Sequence, residues 1–575
     1  LKTAKIKYLL IISSFIFTSN FISLESIKAQ VTQQWFQAYN YAYNTSSYGY
    51  KIKCDKQNNV KIKCDKQNNV YLLGITRITP ESQPSICLIK FNPNGVTQWI
   101  ARYDNGFNAY NYPGDMTIDS SGNIYIVGTS QRDSLGNSSD LVLLKYSNSG
   151  LKLMEKRYSG NTNYYYVGGK SLCFLNDIIY ISGLIFEENG GNGVKYCATF
   201  AYNLNGDLLW IDKYGGNDGR TDCHGLYIGY DKDNNIYTGG YSFPDSLSYN
   251  EGFFVQKFTP NGTNLWRKST FFYWRSYPYA MEVSPNGNVY LGGGINHSSS
   301  SSLDMGIVKY DSSGNLIWTK IFSHEFENNK VGSYDYIHDI KIDKKENVYF
   351  TGRDIVPGNF LDIATGKVDS SGNTIWLNHF DPRASDDDVG ISLALDDSNN
   401  VYVTGITGFS QGSDVVTLRI NNNGEFKWHK IFSSISPSSS DEGHSIAIDT
   451  QSNILVGGFS GTTPSTVDMI AIKYSQSTNI NSITTNIDDF KLFQNYPNPF
   501  NPVTTISFTI NNKANYELKI FDITGKQLVT ILNKQLNSGS YNVSWDASAY
   551  PSGIYFYGLY KDGEKFDMKK MILIK

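Results

Sequence analysis

The sequence predicts an all-β protein: an eight-bladed β-propeller closed by its own N-terminal strand, then a β-sandwich. Three observations carry that reading. The 575 residues include 42 Tyr, 31 Phe and 51 Gly. Helix-favouring runs of Ala, Leu, Glu and Lys are scarce, as in chains of strands and tight turns. A phrase of Tyr, two residues and Gly occurs seven times, with an eighth, degenerate copy, at spacings of 52 to 59 residues. A strand centred on Trp recurs with it, and the first copy of that strand precedes the first unit.

The first thirty residues place Lys2, Lys5 and Lys7 ahead of an apolar run from Tyr8 to Phe17 and end in "IKAQ". This is the pattern of a secretory signal peptide, with cleavage expected beside Ala29 or Gln30. The run is shorter than the roughly 20 apolar residues a membrane span needs, so no transmembrane span is expected in the mature chain. Lys+Arg (50) nearly balance Asp+Glu (53), which argues against a nucleic-acid partner.

The propeller is expected over residues 31–476. Its Tyr phrases begin at Tyr71, Tyr125, Tyr180, Tyr237, Tyr290, Tyr349 and Tyr402, with a degenerate copy at Ile454. Ahead of each lies an alternating run and a turn such as "DSSGN". Behind each comes a variable loop, an apolar run ending in Lys or Arg, another turn, and the Trp strand. That is four short strands per unit, a propeller blade. Trp35, Trp99, Trp210, Trp266, Trp318, Trp376 and Trp428 centre the Trp strands, with Met154 replacing one. The eighth unit has no Trp strand after it, so the strand around Trp35 completes the last blade. The Trp rings are expected to be buried between blades.

Within the first unit, "KIKCDKQNNV" at 51–60 is repeated at once at 61–70. The second copy runs directly into Tyr71 and should be the innermost strand. The first is either a bulging connection or an assembly error. Of Cys54, Cys64, Cys87, Cys173, Cys197 and Cys223, the pairs 64/87 and 173/197 fall two strands apart, about 9.6 Å. That is too far for a disulfide, so buried free thiols are expected.

The propeller unit resembles the bacterial β-propeller repeat of many exported proteins. The tail is different. Residues 477–487 read as a polar linker, and 488–575 as strands of sandwich-like spacing. "NYPNPFNP", which includes Asn495, Tyr496, Pro497, Asn498, Pro499 and Phe500, and the final "KKMILIK" resemble the C-terminal sorting domain of type IX secretion substrates. The resemblance implies an Ig-like sandwich, a partnership with the type IX machinery, and a protein attached to the surface or released.

Candidate site residues follow from register. Asp335, Asp388 and Asp441 each stand eight residues before a turn Asp, with Asp222 near that place; His338 and His444 follow three residues after Asp335 and Asp441. They should begin innermost strands at one mouth of the central channel. They are either turn caps and solvated His, or a polar-ligand or cation site. "DKDNN" offers Asp231, Asp233 and Asn235, but Ile236 and Ser242 stand where a calcium loop needs Gly and Glu. No cofactor and no catalytic residue are expected. The expected function is an exported binding or scaffold protein for an unknown surface glycan or protein. The alternative is an extracellular hydrolase or lyase acting on polysaccharide or peptide, its active site at the channel mouth.

Overall fold

The computed structural model describes residues 31–39, 61–77, 82–133, 138–160, 164–189, 192–215, 223–243, 250–273, 275–297, 302–323, 334–355, 361–382, 386–408, 412–434, 440–463, 466–476, 491–495, 497–510, 513–536 and 539–575. The chain divides into two compact units, Leu1–Thr478 and Asn479–Lys575. The expected signal peptide, the first copy of the duplication, Cys54 and the linker lie outside the described residues.

Eight antiparallel blades of four strands make the first unit, an eight-bladed β-propeller. Their innermost strands are, in order, Lys61–Cys64, Asn111–Ile118, Tyr164–Leu175, Cys223–Tyr230, Tyr277–Val283, Tyr336–Ile342, Asp388–Leu395 and Asp441–Ile448. Blades 2 and 3 are joined by one parallel pair, Tyr166 with Ser139. Successive innermost strands hook onto the blade before. The N–H of Asn111 donates to Pro84, that of Asp335 to Leu303 and that of Asp441 to Ser413, at 2.7–2.9 Å. The N-terminal strand Val31–Tyr39 pairs with Thr466–Gln476 as the outer strand of blade 8, which closes the ring.

One irregularity organises every blade from the second to the eighth. The innermost strand carries one extra, unpaired residue: Gly114, Lys170, Leu226, Tyr279, His338, Ile391 and His444 in turn. Such a bulge bends the strand and re-aims its side chains. It drives the carbonyl two residues upstream toward the second strand. A methyl at the facing glycine would fall only 1.8–2.3 Å from that oxygen, at Gly128, Gly183, Gly240, Gly293, Gly352, Gly405 and Gly458. This is why Gly follows Tyr at a fixed distance. It also corrects the eighth copy: Leu455, not Ile454, holds the Tyr place, because Leu455 pairs with Lys473 as Tyr71 pairs with Lys90.

The signature Tyr residues are fully or almost fully buried. Tyr71, Tyr125, Tyr237, Tyr349 and Tyr402 donate their hydroxyls to the turn carboxylates of Asp65, Asp119, Asp231, Asp343 and Asp396. A Lys or Arg of the third strand lies 4.8–5.6 Å above most of these rings, a cation–π arrangement. The Trp rings differ from expectation, being mostly half-buried. Each lies across a turn glycine of the next blade and donates its Nε1–H to a turn carbonyl there at 2.9–3.1 Å. The pairs are Trp35 to Pro93, Trp99 to Asn148, Trp210 to Pro260, Trp266 to Ser312, Trp318 to Ser370 and Trp376 to Asn422. Trp35 thereby ties the closing strand of blade 8 to blade 1. Trp428 differs: its ring is buried, and among the described residues its Nε1 has no hydrogen-bond partner.

The second unit holds a three-stranded sheet (Lys491–Leu492, Val503–Ile510, Gly539–Asp546) and a four-stranded sheet (Gln527–Leu536, Ala514–Phe521, Gly553–Lys561, Glu564–Leu573). Both sheets contribute to one core, including Ile506, Phe508, Leu518, Ile520, Trp545, Tyr557 and Met571.

The bulge makes the facing glycine obligatory. Gly352→Ala must push the strand off the Tyr336 carbonyl and is expected to cost about 1–3 kcal/mol, the range of overpacking. Urea unfolding of the variant against the native chain checks this; an unchanged midpoint would refute the steric account.

Candidate functional site

Inner strands begin, and second strands end, at the same mouth of the channel, because the two run antiparallel. Tyr336 pairs with Arg353, His224 with Tyr241 and Asp441 with Ser460. The sequence candidates fall there, one blade apart, and each engages its own surroundings. Asp335 Oδ1 accepts the N–H of Ile355 at 3.0 Å. Asp441 accepts the N–H groups of Ser434 (2.5 Å) and Gly461 (3.2 Å). Asp388 is wholly buried, and among the described residues neither carboxylate oxygen has a hydrogen-bond partner. The Thr407 hydroxyl and the Gly408 N–H are near, and the latter donates to the Asp387 carbonyl. Burial, reinforced by Asp381 and Asp362, pushes the Asp388 carboxyl up to about 7. Asp222, Ala29, Gln30 and Tyr496 lie outside the described residues.

His338 and His444 are the bulge residues of blades 6 and 8. His444 is buried, stacked at 5.0 Å on Phe459, with Nε2 3.0 Å from Glu442. His338 is half-buried. Burial, then the Arg353 charge, lowers it to about 3, so it is neutral at physiological pH, and its Nε2 has no hydrogen-bond partner.

Around His338 lies a feature that register alone did not reveal. His224 stacks on Tyr241 at 4.3 Å, Tyr241 meets Tyr277 at 6.3 Å, and Tyr277 meets Tyr279 at 6.5 Å. Tyr279 contacts Tyr336 at 5.1 Å and His338 at 5.4 Å. The Arg353 guanidinium sits 4.8 Å from the Tyr336 ring centre. One continuous run of rings thus crosses blades 4, 5 and 6 at the mouth. The corresponding pair in blade 7 is Val389 and Ile391. The signal was present in sequence: "YPY" at 277–279 and "YIH" at 336–338 put aromatics at alternate residues where successive inner strands begin. Abundant Tyr elsewhere, explained by blade packing, hid it.

Below the mouth the channel is crossed by an ionic network. Lys341 Nζ lies 3.0 Å from Asp339 and 3.6 Å from Glu282. Asp339 Oδ2 also accepts the Ser392 hydroxyl (3.0 Å) and the Leu393 N–H (2.9 Å) of the next blade. Burial works against the Lys341 charge, but Asp339 and Glu282 outweigh it and hold the ammonium well above its usual range. The network links the inner strands of blades 5, 6 and 7.

A cleft at the opposite end, between turns of blades 6 and 7, is lined by Asp343, Lys367, Asp396 and Asn422. Its carboxylates already serve Asn347, Tyr349, Asn400 and Tyr402. The "DKDNN" turn is of the same kind, Asp231 accepting from Asp233, Asn235 and Tyr237. Among the described residues no group of three His, Cys, Asp or Glu side chains could hold a metal ion. No helix of the described residues is long and apolar enough to cross a membrane.

In the second unit, the motif residues clasp the end of the chain. Buried Asn495 donates Nδ2 to Pro497 O and Thr504 Oγ1, and its N–H to Tyr557. Asn498 Oδ1 accepts the N–H of Ile572, and the Phe500 N–H donates to the Ile572 carbonyl. "NYPNPFNP" and the terminal strand are therefore one structure.

Residues 494–575 match the family described as the secretion system C-terminal sorting domain. That domain marks the chain for type IX secretion, with attachment to the cell surface or release. No curated protein matches. Similar solved structures include the β-propeller domain of the Trilobed protease from Pyrococcus furiosus (11% identity, 64% of this chain, 97% of that one, TM-score 0.37). Others are the WD40 domain of SCAP from fission yeast (8%, 78% and 98%, 0.37) and the polysaccharide lyase Uly1 (10%, 76% and 92%, 0.36). At these TM-scores the likenesses say nothing of activity.

Asp388 sets a pH dependence. Its unfolded carboxyl releases a proton near 4 and the folded one near 7, so the native state binds the extra proton between these values. Stability should fall as pH rises from about 4 to 7. Asp388→Asn should gain on the order of 1–3 kcal/mol at pH 8 and nothing at pH 4. Urea midpoints across that range test it; an equal effect at both ends would refute it.

Proposed function

We propose that the protein is an exported, surface-associated or released binding protein whose propeller takes an extended glycan at the aromatic mouth over blades 4 to 6. The observation that carries this is the unbroken run from His224 to Tyr336. Ring faces suit the apolar C–H faces of sugars, while Tyr hydroxyls and Arg353 can hydrogen-bond hydroxyl or acidic groups. The rings are already in contact with one another, so little ordering cost attends binding. The sorting domain supports delivery to where such ligands occur.

The test is a glycan array probed with the purified protein, followed by calorimetry on the best binder. Tyr279→Ala and Tyr336→Ala should each weaken binding about tenfold or more, roughly 1.4 kcal/mol. Unchanged affinity in both would remove the mouth from consideration. Shortened glycan or peptide products that vanish in His338→Ala would replace the binding reading with the hydrolase or lyase one.

Delivery is tested separately. Deleting 488–575 should leave the folded propeller in the periplasm of its host, and the tail fused to a reporter bearing a signal peptide should export it. Normal export without the tail, read by cell fractionation, would contradict this.

A further inference from the structure

Cys197 lies on the third strand of blade 3, and Cys223 opens the innermost strand of blade 4. Both are wholly buried and, with Phe254, form a small cluster of their own between the blades. Both stand in that cluster as free thiols. The chain makes room for this: a methyl at Gly225, two residues beyond Cys223, would fall 2.7 Å from Cys197 Sγ. Among the described residues the other thiols have no such neighbour. Cys64 pairs with Val70 while Cys87 pairs with Gly74, and Cys173 pairs with Tyr180 while Cys197 pairs with Leu184. Within each blade the two cysteines are thus two strands apart and offset by about 13 Å along them. Of the described cysteines, only the pair that crosses between blades is brought together.

We propose that Cys197 and Cys223 are joined by a disulfide in the exported protein, a covalent staple between blades 3 and 4. Export carries the chain through compartments where disulfides form and persist. Two S–H bonds break and one S–S bond forms. The two electrons and two protons pass to a disulfide-bearing oxidant, which leaves as two thiols. Both thiols are sealed from solvent once the blades have packed. Burial, then Cys197 itself, holds the Cys223 thiol well above its usual range, so little thiolate is available in the folded state. The bond therefore forms while the two blades are coming together and is protected afterwards.

Peptide mapping of the protein collected from the host's surface or medium decides the matter. It is denatured in iodoacetamide without reductant and digested. The expected result is a peptide containing Cys197 linked to one containing Cys223, with Cys64, Cys87 and Cys173 alkylated. Quantitative alkylation of Cys197 and Cys223, or linkage of either to another cysteine, would overturn the proposal. Reductant should lower the urea midpoint of the native protein and leave that of Cys223→Ala unmoved; an equal response in both would also overturn it. If Cys223→Ala does not fold, the mapping of the native chain stands as the deciding measurement.

Discussion

One extra residue in the innermost strand of blades 2 to 8 is the constraint on which this propeller depends. Pairing an inner strand with its neighbour around a bulge throws a carbonyl outward, and only a residue without a side chain can face it. The glycine fixes where the second strand may sit, and the Tyr three residues before it is thereby fixed above the turn carboxylate. The same bulge decides what reaches the channel. The residue after it joins adjacent blades: Asp339 binds Ser392 and Leu393, Asp115 takes the Ser171 hydroxyl, and Ser445 takes the Ile62 N–H. The bulged residue itself is free of ladder duty, and in blades 5, 6 and 8 it is Tyr279, His338 or His444. A repeat that looks like a packing motif is also the device that presents variable side chains at the mouth.

Apolar clusters shared between neighbouring blades are supplemented by directed contacts. Each Trp indole reaches over a glycine turn to a carbonyl of the next blade, which combines a flat apolar contact with a hydrogen bond worth about 1 kcal/mol. Half-burial is the natural state of a ring that roofs a turn. Trp428 is the exception: in blade 8 the third and fourth strands are not joined by a tight turn, being Thr466–Gln476 and Val31–Tyr39, and among the described residues its N–H finds no partner.

The sequence revealed what is periodic. The Tyr and Trp phrases, their count and the Trp strand before the first unit sufficed for four-stranded blades and circular closure. The tail phrases sufficed for the sorting domain. What was not legible depends on pairing register or on contacts between units. The eighth copy was placed one residue early because Ile454 stands next to the true position, Leu455, and only the partner Lys473 distinguishes them. The bulges are invisible without the ladder. Asp335, Asp388 and Asp441 occupy equivalent places by spacing, yet their environments differ: two accept backbone N–H groups, and one is buried without any. The neighbouring thiols were missed because spacing compares cysteines within a unit, whereas Cys197 and Cys223 meet across two.

Closure by the N-terminal strand has a consequence for the order of events in time. Residues 31–39 emerge first from any site of synthesis or translocation, but their partners at 466–476 emerge after all eight blades' worth of chain. Pairings of such sequence separation are slow, because a very long loop must close before they are rewarded. Until then blade 8 lacks its outer strand, and the third strand shows an unpaired edge. That third strand, the last part of the ring to emerge, is followed almost at once by the sorting tail. The signal for crossing the outer membrane thus becomes available only when the ring is able to close, so a truncated or stalled chain, which could not close its ring, would also carry no passport.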